Sequence, residues 1–75
     1  MYYIYSKDSC PWCVKAKDLL KQKGIEYLEY NIQQSPDLKT RLLQLVPDAK
    51  TVPQIFDGAD HIGGYTELEK HLETN

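Results

Sequence analysis

The chain opens on an apolar run, Tyr2-Tyr3-Ile4-Tyr5, that stops at the polar Ser6-Lys7-Asp8-Ser9, the pattern of a short buried strand. The period then lengthens. Val14, Ala16, Leu19 and Leu20 make one apolar face and Lys15, Lys17, Lys21 and Lys23 a solvated one, which predicts a helix. Ser9 or Cys10 supplies its N-cap, and Pro11 fits the first helical position, where a missing N–H costs nothing. Gly24 ends it. Tyr27, Leu28, Tyr30 and Ile32 give a second strand over Ile25 to Ile32, and strand, helix and strand in succession imply a right-handed crossover with parallel pairing.

Ser35 as N-cap and Pro36 at the first position open a second helix, with Leu38, Leu42, Leu45 and Val46 at helical spacing and Pro47 closing it. Thr51 to Phe56 follows, its Pro53 restricting it to the start of a strand or to an edge. Asp57-Gly58 is a hairpin signal, so His61-Ile62 is expected to return antiparallel before Gly63-Gly64 breaks the strand. Thr66 and Glu69 have capping-box spacing for a last helix bearing Leu68 and Leu72. The predicted order is β-α-β-α-β-β-α, an α/β fold with a four-stranded mixed sheet between helices. No repeat, linker or low-complexity stretch interrupts it, so residues 1–75 are expected to form a single domain.

Composition narrows the function classes. Seventy-five residues make one small domain near the lower size limit for an unaided core. With 41% hydrophobic and 27% charged residues the chain is globular rather than disordered, and a net charge of -2 gives no basic field for nucleic acid or an anionic membrane. No apolar stretch approaches membrane-spanning length, and the N-terminus lacks the pattern of a signal peptide. A monomer in the reducing cytoplasm is the expectation, and there a cysteine pair is more often catalytic or metal-binding than structural.

The chain has 2 cysteines, Cys10 and Cys13, in Cys10-Pro11-Trp12-Cys13. Such a pair can be half of a zinc site, a structural staple or a redox-active dithiol. Zinc wants two further ligands at matching spacing, and His61 and His71 do not make such a pair. A staple across so short a loop removes little unfolded-state entropy. Placement after a strand and at the start of a helix favours the dithiol.

Four features in order, Lys7, Cys10-Pro11-Trp12-Cys13, Thr51-Val52-Pro53 and Gly63-Gly64-Tyr65-Thr66, resemble the glutaredoxins over essentially the whole chain, in particular the small dithiol members of bacterial type. The resemblance implies a thioredoxin-like fold and a glutathione-dependent thiol–disulfide oxidoreductase acting on disulfide-containing or glutathionylated proteins, with ribonucleotide reductase as one acceptor. It implies no permanently bound cofactor and no metal, glutathione serving as reducing co-substrate. Cys10 would be the exposed nucleophile and Cys13 the more buried resolving thiol. Lys7, Trp12, Thr51, Val52, Pro53, Gly64, Tyr65 and Thr66 would make the glutathione site, with a cis peptide bond before Pro53 and help from Lys39 or Arg41 at the glycine carboxylate. Trp12 replaces the family's usual tyrosine, and Tyr65-Thr66-Glu67 replaces a small residue followed by acidic ones. Reduction by thioredoxin reductase, or a dimeric iron–sulfur or zinc module, are the alternatives.

A helix N-terminus and a neighbouring lysine favour a thiolate, and such settings lower a cysteine pKa from about 8.5 to roughly 3.5–7.5. A drop of about 3 units raises the thiolate fraction at pH 7 about 30-fold, but a Brønsted slope of about 0.45 lowers intrinsic nucleophilicity about 20-fold. The gain lies in the thiol's departure from a mixed disulfide.

Overall fold

The computed structural model describes residues 1–73 and runs β1 (Tyr2–Ser6), α1 (Pro11–Gln22), β2 (Tyr27–Asn31), α2 (Pro36–Leu45), β3 (Gln54–Asp57), β4 (Asp60–Gly63) and α3 (Tyr65–Glu73). The strands form one sheet in the order β2-β1-β3-β4. β1 pairs parallel with β2 and antiparallel with β3, and β3 pairs antiparallel with β4. This is the mixed four-stranded α/β arrangement expected from the pattern.

Alternation along β1 sorts the core into two layers. Ile4 faces one side with Ala16 and Leu20 of α1, Ile55 of β3 and Leu68 of α3, all fully buried. Tyr5 faces the other with Leu42 and Val46 at α2 and Phe56 of β3. The sheet therefore lies between α1 and α3 on one face and α2 on the other. Burying each large apolar side chain of the first layer stabilises the fold by about 1.5–3 kcal/mol before entropy is counted.

α1 ends in a Schellman motif. Ile25 N–H bonds Leu20 O at 2.9 Å, Gly24 N–H bonds Lys21 O at 3.0 Å, and Gly24 takes φ +69°. Ile25 packs beside Leu20 in the core and serves that cap, so β2 begins at Tyr27 rather than at Ile25. β1 runs one residue further than its apolar run, because Ser6 pairs with Asn31 and its hydroxyl donates to Glu29 Oε2 at 2.6 Å. The hairpin turn is Gly58-Ala59, flanked by the paired Asp57 and Asp60, with Gly58 at φ +62°. Ser35 stands in the N-cap position of α2 with extended backbone, but its hydroxyl makes no capping bond.

The start of α3 corrects the capping-box expectation. Tyr65 is the first helical residue, Gly64 O accepts the first helical bond from Leu68 N at 2.9 Å, and Glu67 Oε1 accepts from Gly64 N at 2.8 Å. Gly64 is thus the N-cap and Glu67 closes the box, while Thr66 lies inside the helix.

Candidate functional site

Cys10 is the N-cap of α1. Its backbone is extended at φ -113° and ψ 99°, its carbonyl accepts from Val14 N at 3.1 Å, and its Sγ accepts from Cys13 N at 3.1 Å. Pro11 occupies the first helical position, as its lack of an N–H suits. One turn of helix brings the two Cα atoms to 5.2 Å, and the sulfurs lie at disulfide-bonding distance. Cys13 is 1% exposed and Cys10 7%. The expected order of exposure holds, yet Cys10 is far less open than an exposed nucleophile. Its sulfur is enclosed by the Cys13 N–H, the Cys13 sulfur and Val52 O at 3.8 Å.

The loop before Cys10 is clamped. Asp8 N donates to Gln33 Oε1 at 2.7 Å, Asn31 Nδ2 donates to Asp8 Oδ1 at 2.8 Å, and Gln33 N donates to Asn31 Oδ1 at 2.9 Å. Ile32 N adds a bond to Ser6 O at 2.8 Å. Within this frame Ser9 takes φ +55°, the left-handed region that a non-glycine residue occupies only when its surroundings hold it there. The clamp comes from the end of β2, which β1 pairing fixes in register.

Two cavities share Lys7, and one of them meets the cysteines. One of about 530 Å³ is lined by Lys7, Cys10, Cys13, Lys17, Glu29 and Asn31. Lys17 Nζ sits 3.0 Å from Glu29 Oε2 across its wall. The Ser6 hydroxyl and then the Lys17 and Lys21 ammonium groups hold the Glu29 carboxyl below its ordinary range, against a partial burial that pushes it up. The other, about 310 Å³, brings Lys7, Lys39, Lys50, Thr51 and Val52 to one groove. Arg41 is not in it. It faces a larger cavity, about 970 Å³, with Tyr3, Tyr5, Tyr30 and Phe56 on the α2 side of the sheet, with no cysteine in its lining. Tyr5 there is pushed up by burial, with Arg41 opposing.

Val52–Pro53 is a cis peptide bond and Pro53 is buried. Gln54 Nε2 donates to Thr51 O at 2.9 Å, and Gln54 Oε1 meets His61 Nε2 at 2.7 Å, so His61 belongs to the sheet edge behind this segment. A Cβ on Gly64 would lie 3.6 Å from Pro53 O, which is how closely the α3 start approaches. Tyr65 stacks at a tilt on Trp12, their centroids 5.5 Å apart, and Thr66 is exposed beside them. Of the expected site residues, Lys7 shares a cavity with Cys10, Val52 O faces its sulfur with Thr51 and Pro53 on either side, Tyr65 meets Trp12, and Gly64 and Thr66 flank Tyr65 in the chain. His71 lies elsewhere, half-buried, 3.5 Å from Asp57 and edge-on to Tyr2.

Sequence reasoning passed over Asp8, Asn31, Gln33, Ser6, Glu29, Lys50 and Glu67. Lys50 had a signal, since it precedes Thr51 directly. The others act through partners far along the chain or through a side chain bent back on its own helix. Among the described residues no group of three or more His, Cys, Asp and Glu side chains could hold a metal ion.

A glutaredoxin family model matches residues 3–62. Glutaredoxin 3 of Escherichia coli K12 is 40% identical over 65 residues, 87% of this chain and 77% of its own. A hybrid peroxiredoxin, hyPrx5 of Haemophilus influenzae, is 40% identical over 69 residues, 92% of this chain but 28% of the relative, so the chain corresponds to only that share of the longer protein. Among solved structures, a buckwheat glutaredoxin–glutathione complex superposes with a TM-score of 0.81 at 34% identity, over 97% of this chain and 69% of the other.

Proposed function

Because the chain belongs to the glutaredoxin family, whose members exchange thiols and disulfides, we propose that Cys10 and Cys13 carry a glutathione-dependent reduction of protein disulfides and of glutathione mixed disulfides. The observation that carries the reading is the setting of Cys10 Sγ: at the N-terminus of α1, bonded by the Cys13 N–H, beside Val52 O and next to a groove lined with lysines. The N-terminal N–H groups of a helix favour negative charge on that sulfur.

Cys10 thiolate attacks one sulfur of the substrate disulfide, forming a mixed disulfide and releasing the other half as a thiolate. Cys13 thiolate then attacks Cys10 Sγ, which frees the first half and closes the Cys10–Cys13 disulfide. One glutathione thiolate opens that bond, and a second attacks the glutathionyl sulfur, expelling Cys10 and leaving oxidised glutathione. Two electrons pass from two glutathiones to the substrate, and each product thiolate takes its proton from solvent. With a glutathionylated protein, Cys10 takes the glutathionyl group directly and Cys13 is not needed.

Glutathione lies extended in this reading. Its cysteine backbone pairs with Val52 as an added strand, next to the buried Pro53 and the Thr51 backbone. The glycine carboxylate meets Lys7 with Lys39 and Lys50, which share the groove. The γ-glutamyl carboxylate meets the N–H groups of Tyr65 and Thr66 at the start of α3, reached over Gly64, while Trp12 forms a wall. That the buckwheat relative was solved as a complex with glutathione supports glutathione as the ligand. Disulfide-bearing proteins are the acceptors, ribonucleotide reductase among them, and the likeness to a hybrid peroxiredoxin adds a peroxiredoxin to the candidates. The setting proposed is a monomer in the cytoplasm.

A coupled assay tests the reading: NADPH oxidation with 2-hydroxyethyl disulfide, glutathione and glutathione reductase, against thioredoxin reductase alone. Turnover is expected with the first and not the second, and the reverse would overturn it. Cys10→Ser is expected to abolish activity, and Cys13→Ser to keep deglutathionylation while losing most protein-disulfide reduction.

A further inference from the structure

Two exposed apolar side chains flank the cysteines: Trp12, 52% exposed, and Val14, 50%. Over the Trp12 ring stands the Lys15 ammonium, 4.4 Å from the centroid. The two residues are three apart on one helix, so they share a face. A cation at this distance from a tryptophan face is attracted by the ring quadrupole and loses part of its freedom.

The neighbouring lysines are differently placed. Lys17 is paired with Glu29, and Lys7 lines both the cavity at the cysteines and the groove at Val52. Lys15 lines neither cavity and pairs with no carboxylate among the described residues. Glutathione seated between Lys7 and Val52 therefore leaves it untouched. A longer chain that brings a disulfide to Cys10 must pass over the exposed Trp12 ring, and there it meets a held, unpaired cation.

We infer that Trp12 and Lys15 form a docking shelf for protein substrates whose reactive cysteine has an aspartate or glutamate within two or three residues. The inference rests on the proposed thiol–disulfide activity and adds a partner chemistry to it. The apolar ring covers the substrate's backbone, and the ammonium answers its carboxylate. Lys15 here selects among proteins, whereas glutathione reads the Lys7 groove and shares only the Trp12 ring with the shelf. Because the pair is exposed, the preference is modest: about two- to five-fold in kcat/KM at low salt, as exposed ion pairs give.

The test uses three glutathionylated peptides that differ only beside the cysteine, carrying Glu, Gln or Lys, with 2-hydroxyethyl disulfide as a small control. For the wild-type protein at low salt the expected order of kcat/KM is Glu, then Gln, then Lys, converging as salt is raised. Lys15→Gln should remove the order, Lys15→Glu should reverse it, and Lys15→Arg should keep it, all with unchanged rates on the small disulfide. Equal rates for the three peptides with the wild type, or an order that survives Lys15→Gln, would overturn the shelf while leaving the proposed activity standing. Loss of turnover of the small disulfide by the wild type would instead overturn that activity. Thermal unfolding of each variant separates a lost contact from a lost fold.

Discussion

Replacing Asn31 by alanine tests how the loop that delivers Cys10 is held. Asn31 donates to Asp8 Oδ1 at 2.8 Å and accepts from Gln33 N at 2.9 Å, so the variant loses both bonds. Each bond is worth about 0.5–1.5 kcal/mol net, and because the site is exposed and water can substitute, the expected loss for the two is about 1–2 kcal/mol. For a domain of this size that lowers Tm by roughly 4–8 °C for each kcal/mol. The bonds offset a specific cost, since Ser9 at φ +55° is in a conformation unfavourable to a non-glycine residue by about 1–2 kcal/mol. Once unclamped, the loop is expected to relax toward ordinary backbone angles and carry Lys7 and Cys10 out of line with Val52. Activity should fall about three- to ten-fold, as small misplacements do in thiol attack. Ser9→Gly tolerates the left-handed angle and should restore part of both losses in the Asn31→Ala background. Asp8→Asn keeps the accepting oxygen and should stay near wild type in Tm. The assays are thermal unfolding and the glutathione-coupled rate. If Asn31→Ala matched the wild type in both, the loop would be held by its backbone alone and the clamp would have no role.

Three other perturbations follow from the structure. Glu29 has a folded pKa below its unfolded one, so the stability it contributes is present above the unfolded carboxylate pKa and lost as pH falls through the folded value; Ser6→Ala and Glu29→Gln should both flatten the acid limb of a Tm–pH profile, and an unchanged limb would refute the Ser6–Glu29 bond as its cause. Gly63 takes φ +125° and a Cβ there would sit 2.8 Å from Glu67 Cγ, so Gly63→Ala should cost about 1–3 kcal/mol in urea unfolding. Gly64→Ala, whose nearest contact is 3.3 Å, should cost less. Leu68 is fully buried between α1, β1 and β3, so Leu68→Ala should cost about 2–5 kcal/mol by the same measurement, and a cost below 1 kcal/mol would mean that α3 is not anchored there.

Much of the fold was legible because period and punctuation agree. The apolar run of Tyr2 to Tyr5, the lysine and leucine faces of α1 and the proline at each of two helix starts are local signals, and local signals suffice for element type. Boundaries moved where a tertiary partner outweighed them. Ser6 is polar yet belongs to β1, because Glu29 on the neighbouring strand accepts a hydrogen bond from its hydroxyl. Thr66 and Glu69 have the spacing of a capping box, but Gly64 and Glu67 form it, since the helix begins at Tyr65 and the Glu67 side chain bends back to the Gly64 N–H. At the site, Lys7, Thr51 and Val52 were marked by motif, whereas the Asp8–Asn31–Gln33 clamp joins segments that only the parallel pairing of β1 and β2 brings together. Arg41 looked equivalent to Lys39 on the helix. Two residues of helical rotation send one to the groove and the other to the tyrosines.

The first turn of α1 is started by the same sulfur that is proposed to react. Every covalent state of Cys10 is therefore also a state of the helix end, since the Cys13 N–H bonds a thiolate more strongly than a neutral sulfur carrying a substrate. Chemistry and folding share one thermodynamic cycle: whatever the cap adds to the stability of the reduced, ionised protein, it subtracts from the stability of the mixed disulfide by the same amount. A substrate attached at Cys10 leaves the helix end slightly undone, and its release mends it. The choice of inactive variant then has physical content, because Cys10→Ser removes the nucleophile but leaves an oxygen to cap the helix, while Cys10→Ala removes both.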